Sequence, residues 1–120
     1  MKISRGDVFW VDFSKVFPDG EHYQRGIRPA VIVSNNYNNS NCTAVNVVPL
    51  TTRNDGLPQH RYVDIPNGLR QYILPEMITT IDKKYLGNKL PWHIEKSHYK
   101  QIQMAIDIQL GNYKGGRHYE

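Results

Sequence analysis

The stretch Arg28-Pro29-Ala30-Val31-Ile32-Val33-Ser34 decides the fold. A short, continuous apolar run of this kind is typical of a strand that is buried on both faces. Because proline has no backbone N–H to donate to a ladder, Pro29 is expected to be the first residue of that strand. The sequence therefore predicts a central strand over residues 29–34, and the remaining elements are arranged around it.

Further strands are predicted on both sides of the central one. Aromatic, β-branched or alternating residues favour strands over 8–13, 43–50 and 61–65, and two shorter pieces, 72–74 and 77–81, are separated by Pro75. Polar loops rich in Gly, Pro and Asn connect them over 14–28, 35–41 and 52–60. Strands at such short spacing predict a mainly β class, an antiparallel barrel or half-barrel, rather than a parallel α/β sheet.

The spacing of apolar residues changes near the end of the chain. Tyr99, Ile102, Ile106 and Leu110 recur at spacings of three and four, and Gly111 follows them. This pattern predicts a C-terminal helix over 97–110 that packs its apolar stripe on the sheet and ends at a glycine cap. We expect one domain over residues 1–111, followed by a mobile tail over 112–120.

Composition narrows the functional classes. The chain has 120 residues, a formal net charge of +4 and one cysteine, Cys42. These values exclude a disulfide scaffold and argue against a cysteine-based zinc site. No stretch predicts a targeting signal or a membrane span, so we expect a cytoplasmic protein. A positive charge of this size permits a polyanionic partner without requiring one.

The sequence contains no recognisable metal or cofactor motif. It has no phosphate-binding glycine loop, no nucleophile elbow, no paired histidines at ligand spacing and no cluster of acidic residues. Any enzymatic reaction is therefore expected to need no metal, no cofactor and few side chains. RNA cleavage satisfies this condition, because the substrate supplies its own nucleophile, the 2'-hydroxyl.

Candidate residues for such a reaction flank two predicted strands. Arg25 and Arg28 precede the central strand, and Thr51, Thr52 and Arg53 follow the next one. Arginine binds phosphate through two parallel hydrogen bonds, and a threonine hydroxyl can donate to a phosphoryl oxygen. Neighbouring strands would bring the two loops to one rim of the sheet.

The same segments resemble the MazF/PemK/Kid family of toxin ribonucleases over about residues 3–111. The resemblance is carried by five segments in order: Arg5-Gly6-Asp7-Val8, Gly26-Ile27-Arg28-Pro29-Ala30-Val31-Ile32-Val33, Val48-Pro49-Leu50-Thr51-Thr52-Arg53, Leu57-Pro58-Gln59-His60 and Ile78-Thr79-Thr80-Ile81-Asp82-Lys83. The helix ending in Leu110-Gly111 follows them. The chain departs from many relatives at Met77 and Thr79, where they carry Gln and Arg, and at Arg25, where they carry Gly.

The resemblance implies an SH3-like antiparallel barrel that forms a homodimer. It also implies metal-independent, sequence-specific cleavage of single-stranded RNA to 2',3'-cyclic phosphate and 5'-hydroxyl ends, with neutralisation by an acidic cognate antitoxin. The family's catalytic residues fall on Arg28 and Thr51. RNA contacts are expected from Gln24, Arg25, Thr52, Arg53, His60 and Glu76. Because an arginine side chain stays protonated in proteins, charge stabilisation suits Arg28 better than general-base catalysis.

Two other functions remain open at this point. The first is a toxin on the same fold that binds gyrase, as CcdB proteins do; Tyr113 and Tyr119 near the C-terminus keep this alternative open. The second is a barrel that binds RNA without cleaving it. RNA binding that is sensitive to salt and yields no product would indicate the latter.

Overall fold

The computed structural model describes residues 2–18, 26–65 and 69–113. This part of the chain contains the strands β1 (Asp7–Asp12), β2 (Ile27–Ile32), β3 (Ala44–Thr51), β4 (Tyr62–Asp64), β5 (Arg70–Ile73), β6 (Thr79–Asp82) and β7 (Leu86–His93). It also contains the helices α1 (Phe13–Val16), α2 (Asn36–Asn41) and α3 (Lys96–Gln109), and two 3-10 turns, Pro75–Met77 and Lys83–Tyr85. The predicted mainly β class with a C-terminal helix is confirmed.

The described strands pair antiparallel throughout. They follow the order β4-β5-β3-β2-β1-β7, and β6 pairs with the first half of β3. β5 and β6 thus lie along the same side of β3, separated by the 3-10 turn that begins at Pro75. The predicted interruption at Pro75 is confirmed, and it places Glu76 on a turn rather than within a strand.

The predicted position of Pro29 in its strand is wrong. β2 begins two residues earlier, so Pro29 lies inside the strand. β2 pairs with β1 from Ile27 to Val31, but its pairing with β3 ends at Ala30 and Pro49. Because Val33 donates its N–H to the Asn46 carbonyl, the alternation of the ladder directs the Pro29 nitrogen toward β3, where proline has nothing to donate. The ladder between β2 and β3 therefore stops at this point.

Two hydrophobic clusters lie on opposite faces of the sheet. The cluster beneath α3 contains Val8, Val31, Val48, Leu50, Val63, Ile73, Ile94, Tyr99, Ile102 and Ala105. The cluster on the other face contains Ile3, Phe9, Val11, Phe13, Ala30, Ile32, Val45, Val47 and Ile81. Since neighbouring residues of β1, β2 and β3 enter opposite clusters, both faces of these strands carry buried side chains, and Trp10 of β1 is the exposed exception. This confirms the buried central strand.

The C-terminal helix packs as its periodicity predicts, with one exception. Tyr99, Ile102, Ala105 and Ile108 form its buried stripe. Leu110, which the sequence assigns to that stripe, lies beyond the last helical residue and is exposed. The following glycine adopts a φ of +76°, a left-handed conformation that favours glycine and commonly ends helices.

One strand and two helices, β7, α1 and α2, are absent from the sequence prediction. β7 contains Gly87 and Pro91, residue types that are depleted in strands, but it is an edge strand, where both are tolerated. α2 lies within the loop predicted over 35–41. It begins because the Asn35 side chain accepts the N–H of Asn38 at 2.8 Å, which is a helix N-cap.

A buried carboxylate on β1 binds two side chains of β7. Asp7 is 3% exposed, and its Oδ1 lies 2.8 Å from Nδ1 of His93 and 3.4 Å from Nζ of Lys89. Its Oδ2 accepts the backbone N–H of Ser4 at 2.8 Å. Burial raises the pKa of Asp7, but the hydrogen bonds from His93 and Ser4 and the charge of Lys89 outweigh burial and hold this pKa below its ordinary value.

Asp7→Asn is expected to lower the free energy of unfolding by about 1 to 3 kcal/mol at neutral pH, since a buried, charge-assisted network loses its anion. The lowered pKa makes this contribution complete above the unfolded-state value of about 4, and it is lost as the pH falls through the folded-state pKa. Urea denaturation of both proteins from pH 7 to below pH 4 measures the difference. Asp64→Asn, at an exposed pair, should change stability little. A wild-type advantage over Asp7→Asn that persists undiminished in acid would contradict the assignment.

Candidate functional site

A polar cavity of about 200 Å³ opens where β2 begins and β3 ends. It is lined by Arg28, Thr51, Thr52, Arg53, Asp55 and Leu74. The sequence predicts four of these residues as a site, namely Arg28, Thr51, Thr52 and Arg53. The two loops that carry them do meet at one rim of the sheet, as expected.

Strand register explains why Arg28 and Thr51 face each other. Continuing the pairing of Ala30 with Pro49 by two residues places Arg28 opposite Thr51. Because the residue before a proline is restricted to extended conformations, Pro29 helps to fix the backbone of Arg28. The ladder has already ended at Ala30, so the space between the two side chains is not closed by hydrogen bonds between strands. The cavity occupies this space.

The Thr51 hydroxyl is held by its own loop. Thr51 is 8% exposed, and its Oγ1 accepts the backbone N–H of Arg53 at 3.2 Å. This bond uses a lone pair of the hydroxyl oxygen, so the hydroxyl proton can still be donated to an acceptor in the cavity. Thr51 is thereby positioned as a hydrogen-bond donor toward a bound anion.

Arg53 adds a second cation at the rim. Its side chain is 81% exposed, and Nε donates to Oδ1 of Asp55 at 2.7 Å. An exposed ion pair of this kind contributes at most about 1 kcal/mol, so a phosphate can take the place of the carboxylate. Thr52, which lies between Thr51 and Arg53 in sequence, is also exposed. The loop therefore presents a cation and hydroxyl groups to the same space.

His60 and Glu76 form a pair beside the cavity rather than on its surface. The His60 side chain is 2% exposed, and its Nε2 lies 2.6 and 2.9 Å from the two carboxylate oxygens of Glu76. Nε2 carries the proton in this arrangement, because a carboxylate only accepts. The pair ties the end of the 52–60 loop to the turn Pro75–Met77. In this position the imidazole supports the loop and does not offer a face for base stacking.

Two of the predicted contacts cannot be placed, and two residues of the cavity were not predicted. Gln24 and Arg25 lie outside the described residues. Asp55 and Leu74 line the cavity but are absent from the sequence prediction. Asp55 lies in the turn Asn54-Asp55-Gly56, where a turn-forming role is sufficient to explain it. Leu74 reaches the site because its N–H donates to the Pro49 carbonyl at 3.0 Å, a pairing between distant segments.

The cavity is suited to binding a phosphodiester. Arg28 and Arg53 supply guanidinium groups, and Thr51 supplies a hydroxyl donor. Groups fixed before a reaction stabilise developing negative charge without reorganising. Among residues 2–18, 26–65 and 69–113, no group of three or more His, Cys, Asp and Glu side chains is arranged to hold a metal ion. Within the same ranges no helix is long and apolar enough to span a membrane.

Comparisons with known proteins identify the family of the chain. Residues 4–110 match the model of the PemK-like, MazF-like toxins of type II toxin-antitoxin systems. The chain is 37% identical over 112 residues to Endoribonuclease MazF of Staphylococcus saprophyticus, covering 89% of this chain and 90% of the relative. It is 35% identical over 119 residues to Endoribonuclease MazF of Staphylococcus epidermidis, covering 91% and 92%.

Solved structures give the same picture for the fold. A mycobacterial endoribonuclease in complex with its cognate antitoxin superposes with a TM-score of 0.71 at 30% identity, covering 91% of this chain and 95% of that one. MazF from Deinococcus radiodurans superposes with a TM-score of 0.77, covering 92% and 98%. At 20% identity the second likeness concerns the fold alone.

Proposed function

This chain belongs to the PemK-like, MazF-like toxins of type II toxin-antitoxin systems. We propose that it is an endoribonuclease that cleaves single-stranded RNA, and that Arg28 and Thr51 are its catalytic residues. The observation that carries this proposal is that both side chains line one polar cavity. Each matches a position that the family resemblance marks as catalytic.

The reaction follows from the substrate's own chemistry. The 2'-oxygen attacks the adjacent phosphorus, a P–O2' bond forms, and the bond from phosphorus to the 5'-oxygen breaks. The 2'-hydroxyl loses a proton and the departing 5'-oxygen gains one, so the products are a 2',3'-cyclic phosphate and a 5'-hydroxyl. No water or oxidant is consumed in this step.

Arg28 and Thr51 act on the phosphate. The Arg28 guanidinium stabilises the charge that grows on the non-bridging oxygens, because its planar fork matches two of them. The Thr51 hydroxyl donates to a phosphoryl oxygen and fixes the phosphate for in-line attack. Arg53 and Thr52 bind the RNA backbone next to that phosphate. The His60–Glu76 pair stabilises the 52–60 loop, which carries Thr52 and Arg53.

The same proposal includes partners. We infer that the chain acts in the cytoplasm as a homodimer and is inhibited by an acidic cognate antitoxin. The structure of a mycobacterial relative with its cognate antitoxin supports such a partner. A guanidinium-lined cavity attracts carboxylates as well as phosphates, so an acidic chain can compete with RNA for it.

RNA cleavage in the presence of a chelator tests the proposed activity. The purified protein should cleave single-stranded RNAs of varied sequence in excess EDTA at discrete positions, because the reaction uses no metal. Gel analysis of end-labelled RNA measures this, and the same protein inactivated by heat is the control. Intact RNA at high protein concentration across all sequences would contradict the proposal.

A further inference from the structure

A row of side chains continues from the proposed catalytic residues across the sheet. Thr51 of β3 pairs with Tyr72 of β5, and Tyr72 pairs with Tyr62 of β4. Residues directly opposite each other in antiparallel strands share a face. With strands about 4.8 Å apart, Tyr72 and Tyr62 stand roughly 5 and 10 Å from Thr51 along the row. The row therefore leads from the cavity to the edge of the sheet.

The far end of this row is an aromatic platform with a bound guanidinium. The rings of Tyr62 and Tyr72 meet edge to face, with centroids 6.0 Å apart and planes at 63°. The Arg70 guanidinium lies 3.8 Å from the centre of the Tyr62 ring. Tyr62 is 44% exposed, and neither tyrosine belongs to the hydrophobic clusters described above. We call Tyr62, Tyr72 and Arg70 the aromatic platform.

Arg70 is fixed in place and still has donors to offer. Its Nε and Nη2 donate to the two carboxylate oxygens of Asp64 at 2.9 and 3.5 Å. The hydrogen bond to Asp64 raises the pKa of Arg70. The negative charge of Asp64 and the side chains of Tyr62 and Tyr72 raise this pKa further. A guanidinium has five N–H donors, so the bonds to Asp64 leave others for a phosphate. The side chain is about half exposed, which lets a ligand reach it.

This combination suits an unpaired nucleotide. Single-stranded RNA is held by aromatic or guanidinium faces on which bases stack and by cations that follow the backbone. The platform provides both kinds of group, and the pairing row joins it to Arg28 and Thr51. Charge complementarity also favours RNA, because the cavity and platform together carry Arg28, Arg53 and Arg70 against Asp55 and Asp64.

We propose that the aromatic platform is a subsite for a nucleotide that flanks the cleaved bond, in which the base stacks on the Tyr62–Arg70 pair and the phosphate meets Arg70. This subsite rests on the proposed ribonuclease function. Because stacking acts on bound substrate before and during cleavage, it lowers KM more than it raises kcat.

The test uses variants of Tyr62 and two forms of one cleavable RNA. In the first form all bases are present, and in the second the nucleotides that flank the cleavage position are abasic. Tyr62→Ala should raise KM for the first form by about 10-fold to 100-fold, the range expected for loss of one stacked base. Tyr62→Phe keeps the ring face and should retain most of the affinity. Tyr37→Ala removes a surface tyrosine on α2 and should match wild type.

The abasic RNA separates stacking from a structural effect. It should bind wild type about as weakly as intact RNA binds Tyr62→Ala, and the variant should lose nothing further on it. An unchanged KM for Tyr62→Ala with intact RNA would overturn the subsite, as would an equal loss on both RNAs. The latter would indicate damage to the paired strands β4 and β5, which circular dichroism and thermal melting also detect.

A binding measurement keeps this proposal distinct from the proposed function. Fluorescence anisotropy with a labelled single-stranded RNA reports affinity even where no cleavage occurs. If wild type binds without cleaving and Tyr62→Ala binds more weakly, the aromatic platform binds RNA and the proposed activity fails. If Tyr62→Ala cleaves and binds RNA as wild type does, the activity stands and the subsite fails.

Discussion

Arg28→Ala should lower the rate of RNA cleavage by about 10²-fold to 10³-fold while the protein stays folded. This is the range observed when one fixed donor to a developing oxyanion is removed. Arg28 lies at the cavity, opposite Thr51, where the non-bridging oxygens of a bound phosphodiester would carry the new charge. The loss should appear mainly in kcat, because the interaction is strongest in the transition state.

Single-turnover cleavage of one RNA by wild type and variant measures this loss. Arg28→Lys should recover part of the rate, since lysine keeps the charge but not the bidentate fork. Lys100→Ala, on the exposed face of α3, removes the same unit of charge away from the cavity and should cleave at the wild-type rate. A folded Arg28→Ala protein that cleaves as fast as wild type would contradict the role of Arg28.

Local sequence was sufficient for the elements that place Arg28 and Thr51. The apolar run after Arg28 and the β-branched run before Thr51 each predict a buried strand, and two such strands in sequence tend to pair antiparallel. The rim of the sheet could therefore be predicted with four of its cavity residues. The expected position of Pro29 is wrong, because the direction in which a residue's N–H points depends on which neighbouring strand lies on each side.

Contacts between distant segments could not be predicted in this way. The RNA contact of His60 stays a prediction, and its hydrogen bond to Glu76, which lies on a turn 16 residues later, has no local signal in the sequence. β7 has a composition unfavourable to strands and forms because β1 offers it an edge and Asp7 binds His93 and Lys89. The aromatic platform likewise depends on the pairing of β3, β5 and β4, and the local sequence does not predict which strands pair.

Replacing the attacking 2'-hydroxyl of the RNA with hydrogen should abolish cleavage at that bond. The proposed reaction has no other nucleophile, since Arg28 and Thr51 act on the phosphate and neither forms a bond to phosphorus. The substitution leaves the phosphate, the bases and the 5'-oxygen unchanged, so binding to Arg28 and Arg53 should be retained. The expected effect is therefore a loss of chemistry with little loss of affinity.

The measurement requires one RNA whose cleavage position has been mapped and a matched RNA with a single 2'-deoxynucleotide immediately 5' of that bond. In excess EDTA, the account predicts that the first RNA yields a 2',3'-cyclic phosphate and a 5'-hydroxyl, while the second stays intact and competes for the protein with similar affinity. Cleavage of both RNAs at similar rates would show that water or a protein group attacks the phosphorus, and it would contradict the account.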